Sequence, residues 1–215
     1  SAKNGLLEAQ LKLGFLYEQG KLIPQNNQKA FGWYEKAAMQ QSAIAQFALA
    51  MMYQDGVGTP KNLAKAYEWY HKAADQGLGL AQLRVGSMLA EGEGVPKNVK
   101  KALEWYTAAA KQNLSEAQFK LGLLYEEGAG DATQQIGVDY VQAAHWYQQA
   151  AEQGDDYGQL AIGTLYFTGQ GVDQDFVRAY MWLSIAHKNG NPEASGWMDI
   201  VSDEMTREQI IKARR

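Results

Sequence analysis

The sequence is dominated by an internal repeat with a period of about 36 residues. Five tryptophans lie 36, 36, 41 and 36 residues apart, and an Ala-Gln pair (Gly-Gln in the last copy) precedes each at a similar spacing. The tryptophans are Trp33, Trp69, Trp105, Trp146 and Trp182, and the glutamines of the pairs are Gln10, Gln46, Gln82, Gln118 and Gln159. A period of this length is typical of a solenoid, in which each unit buries its apolar face against its neighbours.

Each repeat is predicted to contain two α-helices. In the second copy we expect the first helix from about Ala43 to Gln54 and the second from about Leu63 to Gln76. A short polar residue stands where each second helix needs an N-cap, and a glycine or asparagine stands where a left-handed residue ends it. The predicted N-caps are Asn26, Asn62, Asn98, Asp139 and Asp175; the predicted terminators are Gly77, Asn113, Gly154 and Gly190, with Gln41 departing from the pattern.

A Gly-x-Gly motif recurs between the two helices of a repeat, at 56–58, 92–94, 128–130 and 169–171. A glycine-rich loop that opens a helix can bind phosphate. Phosphate-binding loops carry the longer signatures G-x-x-x-x-G-K-[ST] or G-x-G-x-x-G, and the sequence contains neither. The motif is therefore predicted to be a connector between antiparallel helices.

The assembled unit, A-Q-x-x-L-G-x-x-Y-x-x-G-x-G-V…K-A-x-x-W-Y-x-x-A-A-x-x-G, resembles the Sel1-like repeat, a relative of the tetratricopeptide repeat. The resemblance implies an all-α fold, a right-handed α/α superhelical solenoid of about five helix-pair repeats with a C-terminal capping helix pair. We place the repeats at 6–41, 42–77, 78–113, 114–154 and 155–190, and the sixth first helix with the cap at 191–215. Residues 1–5 align with the end of a second helix, so we expect the chain to begin in the tail of an upstream repeat.

Four further features of the sequence lead to expectations about local structure. The aromatic pair Trp69-Tyr70 and its equivalents are expected to fill the space between units, and the repeated glutamine to satisfy backbone groups of a neighbouring helix. Thr206-Arg207-Glu208-Gln209 fits a capping box. The longer fourth repeat contains an insertion around 131–137, for which tolerated drift and a functional loop both remain open.

The side chains that differ between copies indicate where a partner would bind. Numbered from the alanine of each Ala-Gln pair, offsets −1, 3, 6 and 10 vary, and at about 100° per residue they share one helix face opposite the repeating one. An apolar strip with charged neighbours on that face is typical of a peptide- or helix-binding groove. The predicted groove residues are Lys12, Phe15, Ile44, Met51, Leu80, Arg84, Lys120, Leu123 and Tyr157; half-buried core is the alternative, and is what we expect for Trp197 and Ile200.

Composition narrows the function classes. The chain has no cysteine, which excludes disulfides, thiolate metal sites and cysteine nucleophiles. Its net charge of −4 argues against nucleic acid as a partner. The three histidines, His71, His145 and His187, stand at different phases of the repeat, so stacking does not predict a metal cluster, and no cofactor is expected.

The resemblance implies a non-enzymatic scaffold or adaptor, of bacterial origin, that binds a protein or peptide in its concave groove. The alternative is an accessory protein of the cell envelope or of secretion that binds glycan or lipid headgroups. Stable membrane insertion is not expected, because no apolar run approaches about 20 residues. The compartment is not fixed by the residues; the family resemblance favours the periplasm or secretion over the cytoplasm.

Overall fold

The computed structural model describes residues 2–128 and 136–213, and these residues form twelve α-helices. The helices are α1 (Ala2–Gln19), α2 (Asn27–Met39), α3 (Ala43–Asp55), α4 (Leu63–Asp75), α5 (Gly79–Glu91), α6 (Val99–Ala110), α7 (Ser115–Glu127), α8 (Tyr140–Glu152), α9 (Asp156–Thr168), α10 (Phe176–Lys188), α11 (Ala194–Asp203) and α12 (Arg207–Ala213). The predicted all-helical fold and the two helices of the second copy are confirmed. Residues 2–5 lie in α1, and the proposed repeat boundaries stay a prediction.

The chain divides into two compact units, Ser1–Trp105 and Tyr106–Arg215. In the first unit, helices that follow one another from α1 to α5 pack together. In the second unit, α7, α8, α9 and α10 pack in the same sequential way, and both α11 and α12 pack on α10. Most of the predicted insertion, residues 131–135, lies outside the described residues.

The helix ends form as the sequence predicts. All five predicted N-caps accept a backbone N–H three residues on, at 2.9–3.0 Å. The predicted terminators have positive φ, from 61° at Asn113 to 99° at Gly190. Gln41 also has positive φ, 63°, although its side chain disfavours this conformation. The predicted capping box is confirmed, because Thr206 N donates to Gln209 Oε1 and Gln209 N donates to Thr206 Oγ1.

The Gly-x-Gly motif connects helices within a repeat and also contacts the preceding repeat. Its first glycine is the left-handed C-cap of the first helix at Gly56, Gly92 and Gly169, with φ of 78° at Gly92. Its second glycine packs against backbone: a Cβ on Gly94 would lie 2.6 Å from both the carbonyl carbon and the oxygen of Leu63. Gly58 and Gly171 approach the first residues of α2 and α8 in the same way. The prediction that this motif is a connector is confirmed.

The core combines buried tyrosines and small residues. Tyr70 and Tyr147 are 1% and 0% exposed, and the Cβ of an alanine in place of Gly122 would lie 2.5 Å from the Tyr147 ring. Trp69 is only half-buried, with Lys72 Nζ 3.8 Å from its ring centroid. The expectation that both aromatics of the pair fill the inter-repeat space therefore holds for the tyrosine, whereas the tryptophan lies at the surface boundary.

The repeated glutamine bonds to the preceding second helix, as predicted. Gln46 Nε2 donates to the Ala38 carbonyl at 3.3 Å, and its Oε1 accepts from Gln76 Nε2 at 2.7 Å. Gln118 and Gln159 make the same pair of bonds in the second unit. One buried amide thus joins two repeats. The partner amides Gln40, Gln76, Gln153 and Asn189 were not singled out, although they recur at the repeat spacing.

Candidate protein-binding surface

The predicted groove residues of the first unit are at the surface. Phe15 is 55% exposed, Ile44 64%, Leu80 49% and Met51 43%, and both Lys12 and Arg84 are exposed. Each first helix uses its repeated offsets to pack against second helices, so its variable offsets point away from that contact. The apolar side chains on this stripe are therefore not part of the core of this unit. Their role in binding stays a prediction.

Three of these residues meet at one cavity. Lys12, Phe15 and Ile44 line a concave site of about 400 Å³ together with Leu11, Leu16 and Tyr34. The buried Tyr34 donates its hydroxyl hydrogen to Glu18 Oε2 at 2.7 Å, which holds the ring in place. Since the lining is almost wholly carbon, the cavity can hold an apolar side chain. A volume of this size falls in the range of about 300–1,000 Å³ that is usual for ligand sites.

Sequence reasoning missed Leu11, Leu16 and Tyr34 as cavity residues. Leu11 and Leu16 stand at offsets 2 and 7, outside the variable stripe, and Tyr34 is the buried tyrosine that recurs in the first four repeats. The sequence of α1 indicates only that Leu11 lies beside Phe15, because the two residues are four positions apart and share one helix face. The contribution of the second helix through Tyr34 is a tertiary effect.

Two charged side chains of the variable stripe, Lys12 and Arg84, interact with neighbouring groups of the protein. Lys12 Nζ lies 2.6 Å from Glu8 Oε1 one turn away, and this hydrogen bond and the charge of Lys12 lower the pKa of the Glu8 carboxyl. Both groups are well exposed, so the pair adds little stability. On α5, Arg84 acts on the buried Tyr70: burial raises the pKa of Tyr70, and the positive charge of Arg84 opposes that rise. These charges can orient a partner beside an apolar anchor.

In the second unit the three predicted residues have different environments. Tyr157 is 49% exposed and its ring lies 5.9 Å from that of Phe119, a contact between α9 and α7. Leu123 is half-buried and packs against the core cluster that includes Tyr147, and Lys120 is half-buried as well. Leu123 therefore matches the alternative that we kept open, half-buried core.

The residues near the cap were expected to be half-buried core. Trp197 fits, since it packs on the cluster around Leu183 with its ring 6.3 Å from that of Phe167. The expectation for Ile200 is wrong: this side chain is 48% exposed. The reason is helix phase, since the neighbouring Val201 turns fully inward.

The described part of the chain shows no group of three His, Asp or Glu side chains placed to hold a metal ion. His71 Nδ1 instead lies 2.9 Å from Asp75 Oδ2, four residues away on α4, while His145 and His187 are exposed. None of the helices within the described ranges is both long and apolar enough to cross a membrane.

The fold and this surface define a class: an α-helical repeat protein whose first helices carry a variable, partly apolar stripe. The chain belongs to the Sel1 repeat family. The family profile, described as the Sel1 repeat, matches residues 7–42, 43–78, 79–114, 115–155 and 156–191. Proteins built from Sel1 repeats generally act in protein–protein interactions and serve as non-enzymatic scaffolds.

Solved structures agree with this assignment. The chain is similar to a Sel1 repeat protein from Oxalobacter formigenes, with 32% identity and a TM-score of 0.81 over 97% of this chain and 85% of that one. It is also similar to c5321, a protective antigen of uropathogenic Escherichia coli strains that displays an SLR fold, with 26% identity and a TM-score of 0.57 over 99% of this chain and 60% of that one. The immunity protein Pa5087 from Pseudomonas aeruginosa, at 19% identity and a TM-score of 0.52 over 89% and 71%, shares the fold alone. The comparison with curated proteins finds no match.

Proposed function

We propose that this protein is a non-enzymatic scaffold that binds a segment of a partner protein on the variable stripe of its first helices. The observation that carries the proposal is the apolar cavity of about 400 Å³ beside Phe15 and Ile44, two side chains that are more than half exposed. Exposed apolar surface of this kind usually marks an interaction site. The family's general role in protein interaction supports the same reading.

The cavity suggests how a partner would be held. One large apolar side chain of the partner would enter between α1 and α3, where Leu11 and Leu16 give it walls and Tyr34 a floor. Such a buried anchor supplies most of the affinity in many interfaces. Variable residues further along the stripe, including Met51 and Leu80, would then select among partners that share the anchor.

The test uses a random peptide library selected on the wild-type protein, because no partner is yet identified. Peptides enriched on the wild type are measured against the double variant Phe15→Glu/Ile44→Glu. We expect the double variant to lose at least about tenfold in affinity, since each carboxylate would have to be desolvated beside the anchor. Both positions are exposed, so the far-UV circular dichroism and melting temperature are expected to stay close to those of the wild type.

The matched control is Leu22→Glu/Met39→Glu, which places the same charges on two exposed apolar residues that do not line the cavity. Binding by this control should equal that of the wild type. If both double variants bind the selected peptides as well as the wild type does, the cavity is not the site. Leu123 is left unchanged in this design, because its core contact would confuse a binding loss with a folding defect.

A second candidate function is the binding of a glycan at a cleft of about 370 Å³ in the first unit. Met39, Gln41, Gln46, Trp69, Lys72, Asp75 and Gln76 are among the residues that line it. An indole face beside amide and carboxylate groups suits the apolar and hydroxyl surfaces of a sugar ring. Titration with soluble peptidoglycan fragments, followed by tryptophan fluorescence in wild type and in Trp69→Phe, tests it; a signal that does not saturate would eliminate this candidate.

A further inference from the structure

One wall of the apolar cavity between α1 and α3 is formed by a residue whose size differs between repeats. Leu11 lines the cavity and stands at offset 2 of its first helix. The same offset holds Phe47 in the second repeat and Phe119 in the fourth, and leucine again in the third and fifth, at Leu83 and Leu160. Two repeats therefore place an aromatic ring where the first repeat has a branched aliphatic side chain.

In both repeats with phenylalanine at offset 2, its ring packs on the buried tyrosine of the second helix. The ring centroids of Phe47 and Tyr70 lie 5.3 Å apart, and those of Phe119 and Tyr147 lie 5.7 Å apart. Both distances fall within the range of about 4.5–7 Å that is usual for favourable aromatic pairs. Tyr34 is the equivalent tyrosine of the first repeat, where leucine at offset 2 supplies no ring.

The ring of Phe119 also shows where such a ring lies relative to the next first helix. It contacts both Tyr147 and Tyr157, the latter with ring centroids 5.9 Å apart. The positions equivalent to these two tyrosines in the first repeat and the following first helix are Tyr34 and Ile44, and both line the cavity. The cavity therefore lies where the fourth repeat has its own phenylalanine ring.

The cavity has the size and the wall that an aromatic ring requires. Its volume is about 400 Å³, and a cavity of about 150 Å³ in the apolar core of another protein already holds benzene. The Tyr34 hydroxyl is held by Glu18 Oε2, so the ring of Tyr34 keeps one orientation toward the cavity. A ring supplied from outside the chain could thus pack on Tyr34 without any rearrangement of the second helix.

We propose that the cavity binds an aromatic side chain of the partner, which packs on Tyr34 as Phe47 packs on Tyr70. This inference rests on the proposed function and narrows the partner's anchor from any large apolar side chain to an aromatic one. An aliphatic anchor would bury apolar surface but would not form the aromatic pair. Leu11 determines this specificity, because a ring at its position would occupy the space of the partner's ring.

Two peptide libraries test the chemistry of the anchor. They are random at every position except the central one, which is phenylalanine in one library and leucine in the other, and aromatic residues are left out of the random positions. We expect enrichment on the wild type from the phenylalanine library and not from the leucine library. Replacing the phenylalanine of an enriched peptide by cyclohexylalanine should weaken binding about two- to tenfold, because the size is kept and the aromatic pair is lost.

The variant Leu11→Phe tests the position of the ring. It should weaken binding of the enriched peptides at least about tenfold, since the partner's anchor can no longer enter the cavity. The melting temperature should not fall, because two other repeats already carry phenylalanine at this offset. The matched control Leu22→Phe adds the same ring at a residue that is 82% exposed and does not line the cavity, and it should bind as the wild type does.

The outcomes separate this inference from the proposed function. Equal enrichment of the two libraries, with binding lost in Phe15→Glu/Ile44→Glu, would overturn the aromatic anchor and leave the proposed function standing. Wild-type affinity in a folded Leu11→Phe would also overturn it; if that variant folds poorly, equal affinities of the phenylalanine and cyclohexylalanine peptides for the wild type would do so. Enrichment of neither library, or binding that survives in Phe15→Glu/Ile44→Glu, would overturn both proposals.

Discussion

The two glycines of the Gly-x-Gly connector are predicted to differ in how much stability they provide. Gly77, Gly92 and Gly94 all have positive φ, so alanine at any of them meets the left-handed penalty of about 1–2 kcal/mol. A Cβ on Gly77 would meet nothing within 4 Å, and one on Gly92 would lie 3.3 Å from the Lys97 Cβ and 3.4 Å from its backbone nitrogen. A Cβ on Gly94 would lie 2.6 Å from the backbone carbonyl of Leu63, which cannot move without shifting the start of α4.

We therefore expect Gly94→Ala to cost more than Gly77→Ala. Overpacking against a rigid neighbour adds about 1–3 kcal/mol, which brings the loss for Gly94→Ala to roughly 2–5 kcal/mol against about 1–2 kcal/mol for Gly77→Ala. With a urea m-value of about 1–3 kcal/mol per molar, the unfolding midpoints of the two variants should differ by about 1 M. The midpoint of Gly92→Ala is expected to fall between those of Gly77→Ala and Gly94→Ala.

The assay is urea unfolding followed by circular dichroism at 222 nm, with all three variants compared at a common m-value. A lower midpoint for Gly94→Ala than for Gly77→Ala would show that the second glycine of the motif is required by the contact between repeats as well as by the turn. Equal midpoints for Gly94→Ala and Gly77→Ala would refute this reasoning, because they would show that the backbone of Leu63 yields at no cost. The same result would mean that close packing between repeats does not explain why the second glycine recurs.

The remaining predictions concern buried polar groups. Gln46→Ala removes two hydrogen bonds and leaves the Ala38 carbonyl without this donor, so we expect the free energy of unfolding in urea to fall by about 1–3 kcal/mol. Gln10→Ala removes one hydrogen bond and should cost less. Equal losses for the two variants would contradict the role of Gln46 as a bridge between repeats. Burial and the hydrogen bond to Glu126 raise the pKa of Tyr147 well above its ordinary value of about 10. The stability that depends on the protonated form of Tyr147 is therefore complete below pH 10 and falls as the pH rises further. In Tyr147→Phe the free energy of unfolding should fall less steeply above pH 10. The same steepness in the variant and the wild type would refute this prediction.

The repeat made most of the fold predictable from the sequence. Helix positions follow from periodicity, and the caps follow from Asn62 and its equivalents because an N-cap is a local interaction that needs a particular side chain at a particular place. The hydrogen-bonding role of Gln46 was predictable for a related reason: a polar residue that recurs within an apolar pattern must find a partner. Its two partners, Ala38 and Gln76, were not predicted, since they lie on different helices.

The candidate site was predictable only in part. The exposure of Phe15, Ile44 and Met51 follows from their place on the variable stripe, but the burial of Leu123 on the same offset as Phe15 and Met51 does not. Leu123 packs on neighbouring helices whose distance depends on side-chain volumes, and helix phase carries no information about that distance. The half-exposed position of Trp69 was missed because the size of its side chain alone suggested a core role.

The comparison of equivalent positions separates two kinds of surface on the first helices. A residue that repeats and is fully buried, as at Ala45, Ala81 and Ala117, packs one repeat against the next. A residue that varies and is exposed, as at Phe15, carries no packing requirement and is free to recognise a different partner. Substitutions on the two kinds of surface should therefore differ in effect: Phe15→Glu/Ile44→Glu should weaken binding of the selected peptides at a melting temperature close to that of the wild type, whereas Ala45→Glu should lower the melting temperature. A large fall in the melting temperature of Phe15→Glu/Ile44→Glu would mean that the variable stripe also takes part in packing, and the assignment of separate roles would then fail.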